Sequence, residues 1–241
     1  MEIVGRTDGD SPFVLLGDHA GNSIPGSLND LGLPDAELTR HIAIDLGVAE
    51  LGTLLAERLA APFIRQTYSR LAIDCNRNPS TQGSIAETSD GTCVPGNQDL
   101  SPAQRAARAA EIFEPYHEAI SRVLDDREAR AQETILVSLH SFTPVFAGFA
   151  RPWDIGVLHD GRRDSFALDL LARLQAAGEW SVADNEPYKM DETDYTVPRH
   201  AYPRSLRYVE VEVRQDLIHP ASSGSFAPIA ELLARSMEDC V

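Results

Sequence analysis

Short apolar runs recur along the chain, each followed by a polar or turn-forming stretch, and they predict buried strands. Such runs cover residues 13–17, 62–67, 134–139 and 155–158. Residues 207–214 differ, because apolar and polar residues alternate strictly there. That alternation predicts a strand with one apolar face and one polar face.

Apolar residues spaced three and four positions apart predict helices between these strands. The spacing runs through residues 35–60 and returns after Ser101 and Pro102, which form an N-cap followed by proline at the first helical position. It recurs near residues 166–174 and over residues 228–237. Strands that alternate with helices predict an α/β fold, a three-layer sandwich whose mixed, largely parallel central sheet is flanked by helices.

Composition adds limits to this picture. The chain has 241 residues, which suits one domain over residues 1–241. Its net charge of −16 predicts repulsion of nucleic acid and of anionic membranes, and of acidic small molecules too unless arginines are gathered locally. The sequence has no apolar run of membrane-spanning length and no signal-peptide pattern, and its three cysteines are scattered. We therefore expect a cytoplasmic protein that binds neither nucleic acid nor membrane.

Two histidines follow predicted strands in the same way. His19 comes just after residues 13–17, and His140 closes the run at 134–139. In open α/β sheets, sites form at the carboxyl ends of strands, and neutral imidazole is the commonest nitrogen ligand of zinc. Either histidine alone could be a structural residue, but the pair predicts one metal ion, most simply Zn²⁺.

A catalytic zinc takes three protein ligands and keeps one position open. Asp45 is the predicted third ligand, and His41 precedes it by four residues, on the same side of the predicted helix. A plain hydrogen bond between His41 and Asp45 is the competing interpretation. Asn22 is a weaker candidate, since amide oxygens are poor zinc ligands.

Arg70 and Arg77 bracket a short apolar stretch that we interpret as a strand. They could be surface arginines paired with some of the 37 acidic residues. The functional alternative is a carboxylate clamp to which Asn76 adds a donor, because guanidinium binds carboxylate through two parallel hydrogen bonds. Such a clamp would let an acidic protein bind a small carboxylate-bearing substrate.

Glu212 lies on the polar face of the alternating strand, with Glu210 and Arg214. Strands of α/β folds are usually covered on both sides, and a buried carboxylate is costly unless it is paired or used. A glutamate beside a metal-activated water is the usual general base of hydrolytic zinc sites, so Glu212 is the predicted base.

Several short motifs, taken in order, resemble the N-formylglutamate amidohydrolase family over nearly the whole chain. The most distinctive is the segment from Tyr68 to Arg77. The matching motifs are residues 17–25 (GDHAGNSIP), 45–47 (DLG), 68–77 (YSRLAIDCNR), 115–117 (PYH), 139–144 (LHSFTP), 185–188 (NEPY), 194–196 (DYT) with His200, and 212–216 (EVRQD).

This family is in turn similar to zinc carboxypeptidases and aspartoacylases, which have a mixed sheet flanked by helices and a site of two histidines, one carboxylate and a water. The resemblance implies that His19 and His140 bind the metal, that Arg70, Asn76 and Arg77 hold the substrate carboxylate, and that Glu212 is the base. In those relatives a carboxylate ligand follows the first histidine by three residues. This chain has Asn22 there, so Asp45 is expected to supply the ligand.

Together these inferences predict a zinc-dependent amidohydrolase that cleaves an N-formyl or N-acyl amino acid, with N-formylglutamate as the model substrate. Zinc would lower the pKa of its bound water to about 7, and Arg70 or His200 would stabilise the oxyanion. Two alternatives remain open. One is a carboxypeptidase-like enzyme acting on short peptides, and the other is a non-catalytic carboxylate-binding module that has lost its metal.

Overall fold

A computed structural model describes residues 1–219 and 226–241. The strands and helices within those residues are β1 (Glu2–Val4), β2 (Phe13–Gly17), α1 (Asp35–Leu38), α2 (Val48–Arg58), β3 (Phe63–Arg65), β4 (Thr88–Ser89), β5 (Thr92–Cys93), α3 (Pro102–Arg108), α4 (Glu114–Ala129), β6 (Ile135–Phe142), β7 (Val145–Phe146), β8 (Phe149–Ala150), β9 (Ile155–Leu158), α5 (Ser165–Ala177), β10 (Val182–Asp184), α6 (Thr196–His200), β11 (Arg207–Arg214), α7 (Gln215–Ile218) and α8 (Ala227–Glu238).

Seven strands form the central sheet in the order β1-β3-β2-β6-β11-β9-β10. The pairs β2–β3, β2–β6, β6–β11 and β9–β10 are parallel, whereas β1–β3 and β9–β11 are antiparallel. Both faces of the sheet carry an apolar core, one shared with α2, α5 and α8 and the other with α4. The predicted three-layer sandwich with a mixed, largely parallel sheet is therefore confirmed.

The helix that begins after Ser101 follows its sequence signal. The Ser101 side chain accepts a hydrogen bond from the backbone of Gln104, whose own side chain returns to the Ser101 backbone N–H in a capping box. The helix continues from α3 through one π-helical turn at Ala109–Phe113 into α4, which packs Tyr116 and Ile120 into the second core. No described helix is both long enough and apolar enough to cross a membrane.

Three local predictions were wrong. Residues 35–60 do not form one helix, because the chain turns between α1 and α2. Gly47 has a φ of 85° at the start of α2, and a Cβ there would lie 2.4 Å from the carbonyl oxygen of Ile218, so this turn requires glycine. The apolar stretch between Arg70 and Arg77 forms turns rather than a strand. His140 lies inside β6, which continues to Phe142, and not at the strand end.

Candidate active site

Three segments that are distant in sequence bring His19, Asp45 and His140 together. His19 follows β2 directly, His140 is the sixth residue of β6, and these two strands are neighbours in the sheet. Asp45 lies in the turn before α2, where its backbone N–H donates to the carbonyl of His19 at 2.9 Å. The break in the predicted helix therefore carries Asp45 to the carboxyl end of β2.

The three side chains converge on one point. Oδ2 of Asp45 lies 3.3 Å from Nδ1 of His19 and 3.0 Å from Nδ1 of His140. All three residues are buried, and one ligand atom from each lies within 4.8 Å of the other two. Two imidazole nitrogens and one carboxylate oxygen are the donor set of a catalytic zinc site, so these residues fit such an ion.

The other ring nitrogen of each histidine is also held. Nε2 of His19 lies 2.7 Å from Oδ1 of Asp74. Nε2 of His140 lies 3.1 Å from Oγ of Ser138 and 3.6 Å from Oδ2 of Asp18. A partner of this kind fixes the orientation and the tautomer of a metal-binding histidine. Asp18, Asp74 and Ser138 were not predicted as site residues, since nothing in their spacing places them behind the rings.

Charge within the cluster is tightly balanced. Burial alone would raise the pKa of Asp45, but His19, His140 and Arg70 hold that pKa well below its usual range. Burial likewise opposes the charged form of His140, yet the hydrogen bond and the charge of Asp45 raise its pKa to about 10. A single buried carboxylate thus attracts positive charge from two sides, which is the electrostatic setting that a bound cation would satisfy.

Glu212 and Glu210 project from β11 beside the cluster. Glu212 is paired in register with His140, and Glu210 with Ser138, across the parallel β6–β11 ladder. Burial raises the pKa of Glu212 to about 7 and that of Glu210 to about 8. Oε2 of Glu212 and Oε1 of Glu210 have no hydrogen-bond partner among the described residues. The predicted polar face of this strand is therefore a wall of the site and is not solvent-exposed.

A cavity of about 350 Å³, which we call the main cavity, opens in front of these groups. Its lining includes all three converging residues and both glutamates, and also Arg70, Asn76 and Arg77 from the turns at residues 70–77. The structure therefore brings seven of the eight predicted site residues to one cavity: His19, Asp45, Arg70, Asn76, Arg77, His140 and Glu212.

The two arginines differ in how they are engaged. In Arg70, Nε and Nη2 donate to Oδ2 of Asp74, and Nη1 donates to Oδ1 of Asp45. In Arg77, the hydrogen bonds within the described residues all come from Nη1, which contacts the carbonyls of Asn76 and Thr193 and Oδ1 of Asp194. Arg77 therefore keeps Nε and Nη2 for a ligand, whereas each of the three nitrogens of Arg70 already donates to Asp45 or Asp74.

Asn76 is a structural clamp in this arrangement. Its Oδ1 accepts hydrogen bonds from the backbone N–H groups of Tyr195 and Thr196, both at 2.9 Å, and its Nδ2 donates to Oδ1 of Asp194 at 3.2 Å. Both hydrogen bonds accepted by its Oδ1, and one donated by its Nδ2, thus tie residues 194–196 to the turn that carries Arg77.

The remaining predicted residues lie elsewhere. His200 is buried behind the cavity, with Nε2 2.8 Å from Nδ1 of His117, and does not line the main cavity. Asn22 donates to the carbonyl of Leu38 and does not line the main cavity. His41 lies at the cavity wall with Nε2 3.4 Å from Asp90, and does not share a helix with Asp45.

Comparison with known proteins places this site in a family. The family model for N-formylglutamate amidohydrolase matches residues 11–219. The chain belongs to the N-formylglutamate amidohydrolase family. This family resemblance was predicted from the sequence and is confirmed, and membership makes the chain an amidohydrolase. Comparison with curated protein sequences gave no match.

Two solved structures are similar to this member of the family over most of its length. The gene product Atu2144 from Agrobacterium tumefaciens is 34% identical, with a TM-score of 0.92 and coverage of 97% of this chain and 92% of that one. The N-formylglutamate amidohydrolase from Ralstonia eutropha JMP134 is 19% identical, with a TM-score of 0.74 and coverage of 99% and 96%. At that identity, the second likeness concerns the fold alone.

Proposed function

We propose that this amidohydrolase is zinc-dependent and cleaves the amide bond of an N-formyl or N-acyl amino acid. The observation that carries the proposal is the convergence of His19, Asp45 and His140 within 4.8 Å, beside a buried carboxyl oxygen of Glu212 that has no hydrogen-bond partner in residues 1–219 and 226–241. Asp45 would supply the carboxylate ligand that Asn22 does not, which argues against a binding module that lost its metal.

His19, Asp45 and His140 would hold the ion, with Asp74 and Ser138 fixing the two rings. When bound, zinc supplies Lewis acidity, which makes a water more acidic and polarises the amide carbonyl. The reaction adds water across the C–N bond: the hydroxyl goes to the acyl carbon, which becomes a carboxylic acid, and a hydrogen goes to nitrogen, which leaves as the amine.

Glu212 moves the proton in this proposal. Its carboxylate takes a proton from the attacking water and delivers it to the leaving nitrogen. Burial raises its pKa to about 7, so the carboxyl group can exchange a proton in either direction near neutral pH. Its position opposite His140 in the β6–β11 ladder places it beside the ligand cluster.

Arg77 would bind the substrate carboxylate through its free Nε and Nη2, the geometry that suits a bidentate ion pair. Arg70 would contribute positive charge near the polarised carbonyl while Asp45 and Asp74 hold it in place. Asn76 would fix the positions of Arg77 and of residues 194–196. His200 takes no part, because it lies outside the cavity lining.

Elemental analysis of the purified protein tests the metal site directly. We expect about one zinc per chain, and its loss in a double variant, His19→Ala with His140→Ala. His41→Ala is the matched control, because His41 lies at the same cavity wall without joining the three converging residues. Hydrolysis of N-formyl amino acids should disappear with the metal and return when zinc is restored to the chelated parent. A parent that holds no zinc after dialysis against it would refute the proposal.

A further inference from the structure

A second cavity of about 260 Å³ lies next to the main cavity, and His41, Arg70 and Arg77 line both. We call it the side cavity. The other residues that line it are Ile42, Leu71, Asp74, Gly83, Ala86, Ser89, Asp90 and Phe146. The arginine that keeps free donors, Arg77, therefore lies at the boundary between the two spaces.

Each of the two cavities is lined by one exposed apolar side chain, Tyr188 in the main cavity and Phe146 in the side cavity. Among the described residues, the exposed large hydrophobic side chains are Met1, Ile3, Val145, Phe146, Phe149, Leu168, Tyr188 and Val241. Three of these lie near a chain end. Four of the other five belong to the β7–β8 hairpin or to Tyr188, which lines the main cavity. The apolar surface of this acidic protein is thus concentrated around the site.

Arg151 fixes this apolar rim. Its guanidinium lies 4.9 Å from the ring centroid of Phe146 and 4.8 Å from that of Tyr188, and it donates to the Tyr188 hydroxyl at 3.0 Å. Arg151 is itself buried. Cation–π contacts are attractive, so Arg151 helps to hold the Phe146 ring where it lines the side cavity.

Charge restricts what else the cavities can bind. The main cavity is lined by five acidic residues and three permanent cations, Arg70, Arg77 and Lys189. Arg70 has all three nitrogens engaged by Asp45 and Asp74, and Lys189 is exposed to solvent. Only Arg77 offers a free, partly buried edge for a carboxylate. A second carboxylate would have to lose water among these acidic groups without a second free guanidinium edge to bind it, which is costly.

We propose that the preferred substrates are N-formyl or N-acyl derivatives of amino acids with an apolar, preferably aromatic, side chain, which enters the side cavity against Phe146. The α-carboxylate binds Arg77, and the side chain on the adjacent carbon is then the part of the substrate nearest the side cavity. N-formylglutamate, with two carboxylates, is the poorer substrate. This inference rests on the proposed function.

Substrate competition and binding test the assignment. We expect kcat/KM for N-formylphenylalanine to exceed that for N-formylglutamate by at least about tenfold, the scale on which pocket fit discriminates substrates. Phe146→Ser should lower kcat/KM for N-formylphenylalanine about three- to tenfold, the value of one aromatic pair, and should leave N-formylalanine nearly unchanged. Phe149→Ser is the matched control, since Phe149 lies on the same hairpin and lines neither cavity.

Calorimetric binding to the zinc-loaded Glu212→Gln variant separates this inference from the proposed function. Tighter binding of N-formylphenylalanine than of N-formylglutamate, weakened by Phe146→Ser, would support the side cavity even if the parent hydrolysed neither compound. Efficient hydrolysis with a preference for N-formylglutamate would overturn the inference and leave the proposed function intact. Equal losses in Phe146→Ser and Phe149→Ser would also overturn it, because the hairpin would then act through its own packing or through a second copy of the chain.

Discussion

The two faces of the β6–β11 pair are both buried, but one lies in the apolar core and the other lines the main cavity. One face of β11 presents Val209, Val211 and Val213 to the core beneath α2, α5 and α8. The other presents Glu210 and Glu212 to the main cavity, beside Ser138 and His140 of β6. Neighbouring residues of a single strand thus belong either to the apolar core or to the lining of the main cavity.

The difference shows how the fold carries a costly site. Burial of valine removes apolar surface from water and stabilises the folded state. Burial of a carboxyl group without a partner destabilises it, and the raised pKa values of Glu210 and Glu212 record that cost. Burial of the apolar face of the same strands stabilises the fold and offsets the destabilisation caused by burying Glu210 and Glu212.

Replacement of Glu212 tests the polar face most severely. Glu212→Gln keeps the size of the side chain but cannot accept a proton, so we expect turnover of an N-formyl amino acid to fall by about 10²- to 10⁴-fold. Zinc content by elemental analysis should be unchanged. Glu210→Gln should retain far more activity, which separates a proton carrier from a neighbouring acid. Undiminished turnover in Glu212→Gln would remove this residue from the mechanism.

Truncation of Val211 tests the apolar face. Val211 is fully buried, and Val211→Ala should lower the free energy of unfolding by about 2–3 kcal/mol through lost burial and the cavity left behind. Urea denaturation measures the change. Val241→Ala is the control, because Val241 is 58% exposed and its truncation should change stability by no more than about 0.5 kcal/mol. Equal effects at the two positions would contradict the assigned role of this face.

Neutralisation of Glu210 should have the smallest effect and the opposite sign. Its folded pKa, about 8, lies above the ordinary value of 4.5. Folding of the metal-free parent therefore takes up a proton between these values, and stability falls as pH rises through that window. In chelated protein, Glu210→Gln should be more stable than the parent by about 1–2 kcal/mol at pH 8, with the gain vanishing near pH 4.5. A gain that does not vary with pH would refute this explanation.

Much of the fold was predictable because burial leaves a plain periodic signal. The alternation in β11 and the N-cap at Ser101 followed by proline are both visible in the sequence, and both are present in the structure. The helix predicted through residues 35–60 failed because apolar spacing does not reveal that a close approach to Ile218 requires a left-handed turn at Gly47. That constraint comes from a residue far away in the chain.

Candidate site residues that lie in or directly after strands were easier to predict from the sequence than those that lie in turns. His19 and His140 follow from the strand pattern, whereas Asp45 was named as the third ligand from its spacing with His41 on a helix that does not form. Asp74, which orients His19, lies in turns interpreted as a strand, and no local signal marks it. His200 was predicted to bind the substrate because it follows the motif at residues 194–196, and Asp194 of that motif does line the main cavity. The ring of His200 instead packs against His117.

The position of β11 also determines when the central sheet can be completed during synthesis of the chain. Although β11 follows the other six strands of the sheet in the chain, it lies between β6 and β9. As the chain is synthesised, His19, Asp45 and His140 emerge before the strand that carries Glu212. The part of the sheet formed by β1, β3, β2 and β6 and the part formed by β9 and β10 can join only through β11. Pairing between strands that are far apart in sequence is slow. If the proposed roles hold, a nascent chain can bring together the three residues that would bind the cation before it has made Glu212, and it can become active only after β11 has joined the sheet.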